Sequence, residues 1–145
     1  QINAGNRGFN TISKYKRADM ISLNGGELEF ELRKKDLDYR EVVPIIMDRM
    51  KAKFAIVTLG SKGLLVFDES GQISHTPALA EKVVDKVGAG DAVFAVASLL
   101  AFKNAPLEII GLVASLCAAR EISSLGHQSA MHLVDLKKHI KGLLS

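Results

Sequence analysis

The stretch VVDKVGAGDAVFAV, residues 83–96, decides how the rest of the chain is read. Gly88, Ala89 and Gly90 stand in front of a carboxylate, Asp91, and a helix-forming run follows from Ala92 to Val96. Glycines ahead of a helix leave its first N–H groups uncovered, and the macrodipole adds partial positive charge there. An anion, typically a phosphate, binds well at such an end. The same charge favours an aspartate in the first turn, so these residues alone also read as a plain helix start.

The chain has 145 residues and is 48% hydrophobic, enough for one domain with its own core. Its longest largely apolar run, Ala92 to Phe102, is about half the roughly 20 residues a bilayer requires. The opening QINAGNRGFN lacks the charged-then-apolar layout of a signal peptide. Cys117 is the only cysteine, which rules out an internal disulfide and fits a reducing, cytoplasmic setting. It lies in an apolar helical stretch and reads as a packed thiol. The 19 basic and 16 acidic residues are well mixed, and the runs Arg33-Lys34-Lys35 and Lys137-Lys138 read as solvated faces. Neither a nucleic-acid nor a membrane partner is expected.

Ala18 to Leu23 reads as a strand ending at Asn24-Gly25-Gly26. Helices are expected from Gly26 to Lys35 and from Tyr39 to Lys51, the second with Val42, Ile45, Ile46 and Met50 on one face. Phe54 to Leu59 is apolar almost throughout, as in a parallel strand covered on both faces. Leu64–Phe67 and Gln72–Thr76 flank a turn signal at Asp68-Glu69-Ser70-Gly71 and predict a hairpin. Val83-Val84 reads as a short strand. Helices follow over Ala89–Phe102, over Pro106–Ser123 with Asn104 as cap, and over Val134–Leu144 with Leu133, Leu136, Ile140 and Leu143 as apolar stripe. Strands alternating with helices, then a helical tail, predict a layered α/β architecture in a single domain, residues 1–145.

Common nucleotide motifs fail. No G-x-x-x-x-G-K-[ST] occurs, and Gly88-Ala89-Gly90-Asp91-Ala92-Val93 puts valine where a dinucleotide fingerprint needs a small residue for close helix–strand packing. His75, His127, His132 and His139 form no metal-binding pattern. Two other stretches bear on the glycine turn: Asn24-Gly25-Gly26-Glu27 and Thr58-Leu59-Gly60-Ser61-Lys62-Gly63. Each alone is a turn. All three nevertheless fall at the carboxyl ends of predicted strands, where open α/β sheets bind ligands.

In order and spacing, Asn24-x-x-Glu27, Thr58-x-Gly60-x-x-Gly63 and Asp85-x-x-Gly88-Ala89-Gly90-Asp91 resemble the C-terminal half of the ribokinase family. That family is also called the phosphofructokinase B family of carbohydrate kinases. The opening NAGNRGFNTISKYKRADMISL looks most like its heptose-phosphate kinase branch, often fused to a nucleotidyltransferase. The resemblance implies a ribokinase-like three-layer α/β/α fold, of which this chain is the C-terminal part, with a largely parallel sheet. It implies that Asp91 is the catalytic base accepting the proton of the acceptor hydroxyl, and that Gly88, Ala89 and Gly90 form the anion hole. It implies that Asn24 and Glu27 organise Mg²⁺ through water together with the phosphates of ATP. Thr58, Gly60, Ser61 and Gly63 match the loop beside phosphates and ribose, where Lys62 reaches either nucleotide or solvent. A monovalent cation, K⁺, often sits near Asp85, but Lys86 and Val87 replace the signature's usual threonines and remove their hydroxyls. Ser115 stands where an asparagine often lines the adenine pocket.

The family's sugar-binding half and lid have no counterpart in these residues. The chain therefore reads as the nucleotide-binding and catalytic half of an ATP-dependent sugar or sugar-phosphate kinase, incomplete as an enzyme. Such a half exposes a sheet edge and apolar surface, which predicts a homo-oligomer. Two other functions stay open: a nucleotide-binding module without turnover, and a vitamin kinase of the same superfold acting on a hydroxymethyl group.

Overall fold

The computed structural model describes residues 11–80, 88–123 and 133–144. Strand β1 (Met20–Asn24) leads into helices α1 (Gly25–Leu32) and α2 (Tyr39–Met50), and strand β2 (Phe54–Thr58) follows. A meander of β3 (Leu64–Asp68) and β4 (Ile73–Thr76) comes next, and then helices α3 (Ala89–Phe102), α4 (Leu107–Ser123) and α5 (Leu133–Leu144). The strands lie in the order β1-β2-β3-β4. β1 and β2 are parallel, whereas β2–β3 and β3–β4 are antiparallel. The described sheet is thus mixed where a largely parallel one was expected. The reason is local: β3 and β4 are joined by tight turns, which permit only antiparallel neighbours, while β1 reaches β2 through two helices.

Register explains the layers. Ile21, Ala55, Phe67 and Ile73 stand side by side across the four strands, and all face the α1–α2 side. One residue further, Ile56 and Val66 point the other way, towards Val93 and Ala97 of α3 and Ile110 and Ala114 of α4. Helices on both faces make the expected three layers. Each large side chain buried fully in these two cores, such as Phe67 or Ile110, contributes about 2–3 kcal/mol. No helix among the described residues is long and apolar enough to cross a membrane.

Helix α2 buries Val43, Ile46, Met47 and Met50, while Ile45 is 69% exposed. The expected stripe with Ile45 was out of phase: at about 100° per residue Ile45 points roughly 150° from the stripe's centre. Val42 sits at the rim. Asn104 also departs from expectation. It adopts φ 53° and donates its N–H to the carbonyl of Ala101, just past the end of α3, while Pro106 O accepts the N–H groups of Ile109 and Ile110 in the first turn of α4. In α5, Leu136 and Ile140 are half-buried. The Val83-Val84 strand lies outside the described residues.

Arg49 of α2 reaches Glu31 of α1 at 2.7 Å, and the Glu31 side chain is only 2% exposed. Its second oxygen, Oε2, is buried with no hydrogen-bond partner. Cys117 is half-buried in α4, and burial pushes its thiol up from the usual value. Its partial burial agrees with the packed thiol expected from the sequence.

Candidate active site at the carboxyl ends of β1 and β2

Because β1 and β2 are parallel, their carboxyl ends share one edge of the sheet, where Asn24 and Thr58 are register partners. Asn24 is also the N-cap of α1. Its side-chain oxygen accepts from the N–H of Glu27 at 2.9 Å, and the Glu27 carboxylate accepts from the N–H of Asn24 at 2.9 Å. This reciprocal capping box satisfies two donors that a helix start leaves orphaned. The spacing N-x-x-E carries it openly in the sequence.

Helix α3 begins differently. Gly88 occupies its cap position at φ 86°, a left-handed conformation that glycine adopts without strain, and contributes no capping side chain. Asp38 caps α2 by accepting from the N–H of Arg40, and Asn24 caps α1, but among the described residues no side chain caps α3. Asp91 lies exposed in the first turn. A Cβ built on Gly90 would meet nothing within 4 Å, so the first turn of α3 is open at this residue.

A cleft of about 670 Å³ joins these elements. It is lined by Asn24, Glu27, Thr58, Gly88, Gly90 and Asp91, which come from all three stretches singled out in the sequence. Its polar wall is made of oxygen-bearing side chains and backbone, and its apolar wall includes Ile12, Tyr15, Met20 and Phe94. The groove continues along the whole of β1, an edge strand among those described, past Ala18 to Arg17. The sequence predicts an exposed sheet edge with apolar surface, but not which residues form this wall, because that depends on how α3 and the segment before β1 pack in the assembled fold.

Other expected site residues stand apart from the cleft lining. Gly60, Ser61 and Lys62 form an exposed 3₁₀ turn next to Thr58, closed by a bond from Leu59 N–H to Gly63 O at 2.8 Å. Gly63 is buried at φ 90°, against the backbone of Thr76 and Pro77. Ala89 is half-buried in the first turn of α3. Ser115 is 4% exposed and donates its hydroxyl to Pro77 O at 3.0 Å, which ties α4 to the segment after β4. Asp85, Lys86 and Val87 lie outside the described residues.

Residues 10–133 match the pfkB family carbohydrate kinase. The chain belongs to that family. Among curated pfkB relatives it is 30% identical over 124 residues to the bifunctional protein HldE of Campylobacter curvus (strain 525.92), covering 83% of this chain and 26% of that protein. The HldE of Helicobacter pylori (strain HPAG1) is also 30% identical, over 117 residues, covering 79% of this chain and 25% of the relative. The chain therefore spans about a quarter of the length of these relatives. Phosphofructokinase-2 from Escherichia coli, solved in complex with potassium, superposes with a TM-score of 0.75 at 24% identity over 89% of this chain and 42% of that one. Ribokinase from Arabidopsis thaliana, solved with ribose and ATP, gives 0.71 at 23% identity, over 85% of this chain and 41% of that one. These superpositions establish the ribokinase-like fold.

Proposed function

We propose that this chain is the ATP-binding and catalytic half of a phosphotransferase that moves the γ-phosphate of ATP to a hydroxyl of a sugar or sugar phosphate. The observation that carries the reading is the cleft itself, which places Asp91 and the uncapped start of α3 beside Asn24, Glu27 and Thr58 in a pfkB-family chain. The N–H groups of Gly88, Ala89 and Gly90 face charge developing on the transferred phosphoryl group. The Asp91 carboxylate accepts the proton of the acceptor hydroxyl and orients its oxygen; phosphoryl transfer through a loose transition state asks mainly for such positioning.

Oxygen donors at Asn24 and Glu27 suit a hard, largely hydrated cation, so these residues would hold Mg²⁺ through its waters. Bound there, Mg²⁺ supplies charge neutralisation to the phosphates. Asp85 is the candidate for a K⁺ site by family resemblance. The HldE likeness favours a heptose phosphate as acceptor.

The test uses the protein expressed at the full length of its coding sequence, incubated with Mg-ATP and a panel of sugars and sugar phosphates. ³¹P spectra should show one acceptor phosphorylated, with ADP released in proportion. ATP binding without acceptor-dependent ADP release across the panel would make the protein a nucleotide-binding module. The 145-residue chain alone should bind ATP weakly and transfer nothing, because the groove along β1 is open and no residue described here holds an acceptor in line.

A further inference from the structure

The turn after β2 is held from β4. His75 brings Nε2 to 2.9 Å from the carbonyl oxygen of Lys62, the last residue of the 3₁₀ turn. A carbonyl oxygen only accepts, so the imidazole carries a proton on Nε2 and donates it. Immediately after His75, the backbone of Thr76 and Pro77 packs against Gly63, leaving no space there for a Cβ. Strand β4 thus grips both residues that close the turn, Lys62 through a side chain and Gly63 through backbone. The outer side of the turn is open: Gly60, Ser61 and Lys62 are exposed, and nothing lies within 4 Å of a Cβ built on Gly60.

An exposed turn with glycines at both ends is expensive to order, at about 1–2 kcal/mol per residue fixed. Bracing it before a ligand arrives removes part of that cost from binding. We infer that His75, touching no ligand itself and acting through the Lys62 carbonyl, is a positioning residue for the turn that starts at Thr58, the one of its residues that lines the cleft. The inference rests on reading the adjoining cleft as the ATP site.

The experiment compares His75→Leu, which removes the donor, with His75→Gln, whose amide nitrogen can take the place of Nε2. His75→Asn, a shorter amide, stands in for the leucine variant if that one is insoluble. In full-length protein the leucine variant should raise KM for ATP about five-fold, the range of one net hydrogen bond, with kcat within about two-fold. The glutamine variant should return KM to within about two-fold of wild type. Amide hydrogen exchange at Lys62 and Gly63, read without nucleotide, should quicken in His75→Leu and recover in His75→Gln.

If wild-type protein uses ATP, and His75→Leu matches it in both exchange and KM, the inference is overturned while the ATP reading stands. A loss of kcat at unchanged KM would also overturn it. Faster exchange in His75→Leu, in a protein that neither binds nor uses ATP, would overturn the nucleotide assignment of the turn and the reading of the cleft beneath it.

Discussion

Asn24 and Glu27 are bound to each other twice, the Asn24 side chain to the Glu27 N–H and the Glu27 carboxylate to the Asn24 N–H, both at 2.9 Å. The same pair lines the cleft that contains Asp91. A turn that feeds a helix and a cation-organising pair are therefore compatible roles for these residues. The cap holds the Glu27 carboxylate at the carboxyl end of β1, so the structural role also supplies the placement that the chemical role needs.

This overlap can be separated by two substitutions. Glu27→Gln keeps an acceptor oxygen for the Asn24 N–H, so the melting temperature should stay within a few degrees of wild type. It removes the charge, so the Mg²⁺ concentration for half-maximal activity of the full-length protein should rise several-fold. Glu27→Ala also removes the acceptor of the Asn24 N–H, while the Asn24 side chain still caps the backbone N–H of residue 27, and should destabilise by about 0.5–1.5 kcal/mol. A glutamine variant with an unmoved Mg²⁺ titration would leave Glu27 with capping as its whole role.

Asp91→Asn tests the division of labour at the start of α3. The backbone N–H groups of Gly88, Ala89 and Gly90 survive the change, whereas the acceptor for the hydroxyl proton is lost. Nucleotide affinity should therefore hold within about three-fold, while kcat falls by about 10²–10⁴. Calorimetry with ATP alongside steady-state turnover separates the two quantities. Near-normal turnover in this variant would reduce Asp91 to a helix-start residue.

Much of the candidate site's lining was legible because its residues announce themselves locally. Asn24, Thr58 and Gly88–Asp91 each sit at a strand end or helix start marked by glycines and a polar side chain, and parallel pairing of β1 with β2 brings the first two together. Assembly-level properties were not legible. An exposed edge was expected, but not that Ile12, Tyr15 and Phe94 would form an apolar wall beside β1, an edge strand among those described. The misphased Ile45 and the displaced cap at Asn104 have a different cause. The first is a matter of helical phase, set by which side of α2 meets the sheet, and the second a boundary judgement that exchanges the end of one helix for the start of the next. The His75–Lys62 bond joins residues 13 apart through a hairpin register that no local pattern specifies.

The Glu31–Arg49 pair should show an asymmetry. Glu31 is almost fully buried with one oxygen unpartnered, whereas the Arg49 side chain is about half-exposed at 47%. Removing the arginine leaves a buried carboxylate with no counter-charge, so Arg49→Met should cost about 2–4 kcal/mol, discounted from a fully buried pair by solvent at the arginine end. Removing the acid leaves only a cation that can turn to water, so Glu31→Met should fall within about 1 kcal/mol of wild type. Urea midpoints at constant slope measure both. Equal costs would mean that the pair acts through packing and not through charge.

The turn between β2 and β3 offers two glycines that sequence alone treats alike. Both have positive φ, 61° at Gly60 and 90° at Gly63, but their surroundings differ. A Cβ on Gly60 meets open space, so Gly60→Ala pays mainly for the left-handed backbone, about 1 kcal/mol. A Cβ on Gly63 runs into the backbone of Thr76 and Pro77, which cannot swing aside as a flexible side chain would. Gly63→Ala should therefore cost at least about 3 kcal/mol, through strain added to displacement of β4 from β3. It should also quicken amide exchange in β4, because the residues it pushes against carry the last bonds of that strand's ladder. Equal denaturation midpoints for the two alanine variants would show that the β4 end yields to the methyl group. In that case Gly63 would be required for its dihedral angles alone, and the grip of β4 on the turn would rest on His75.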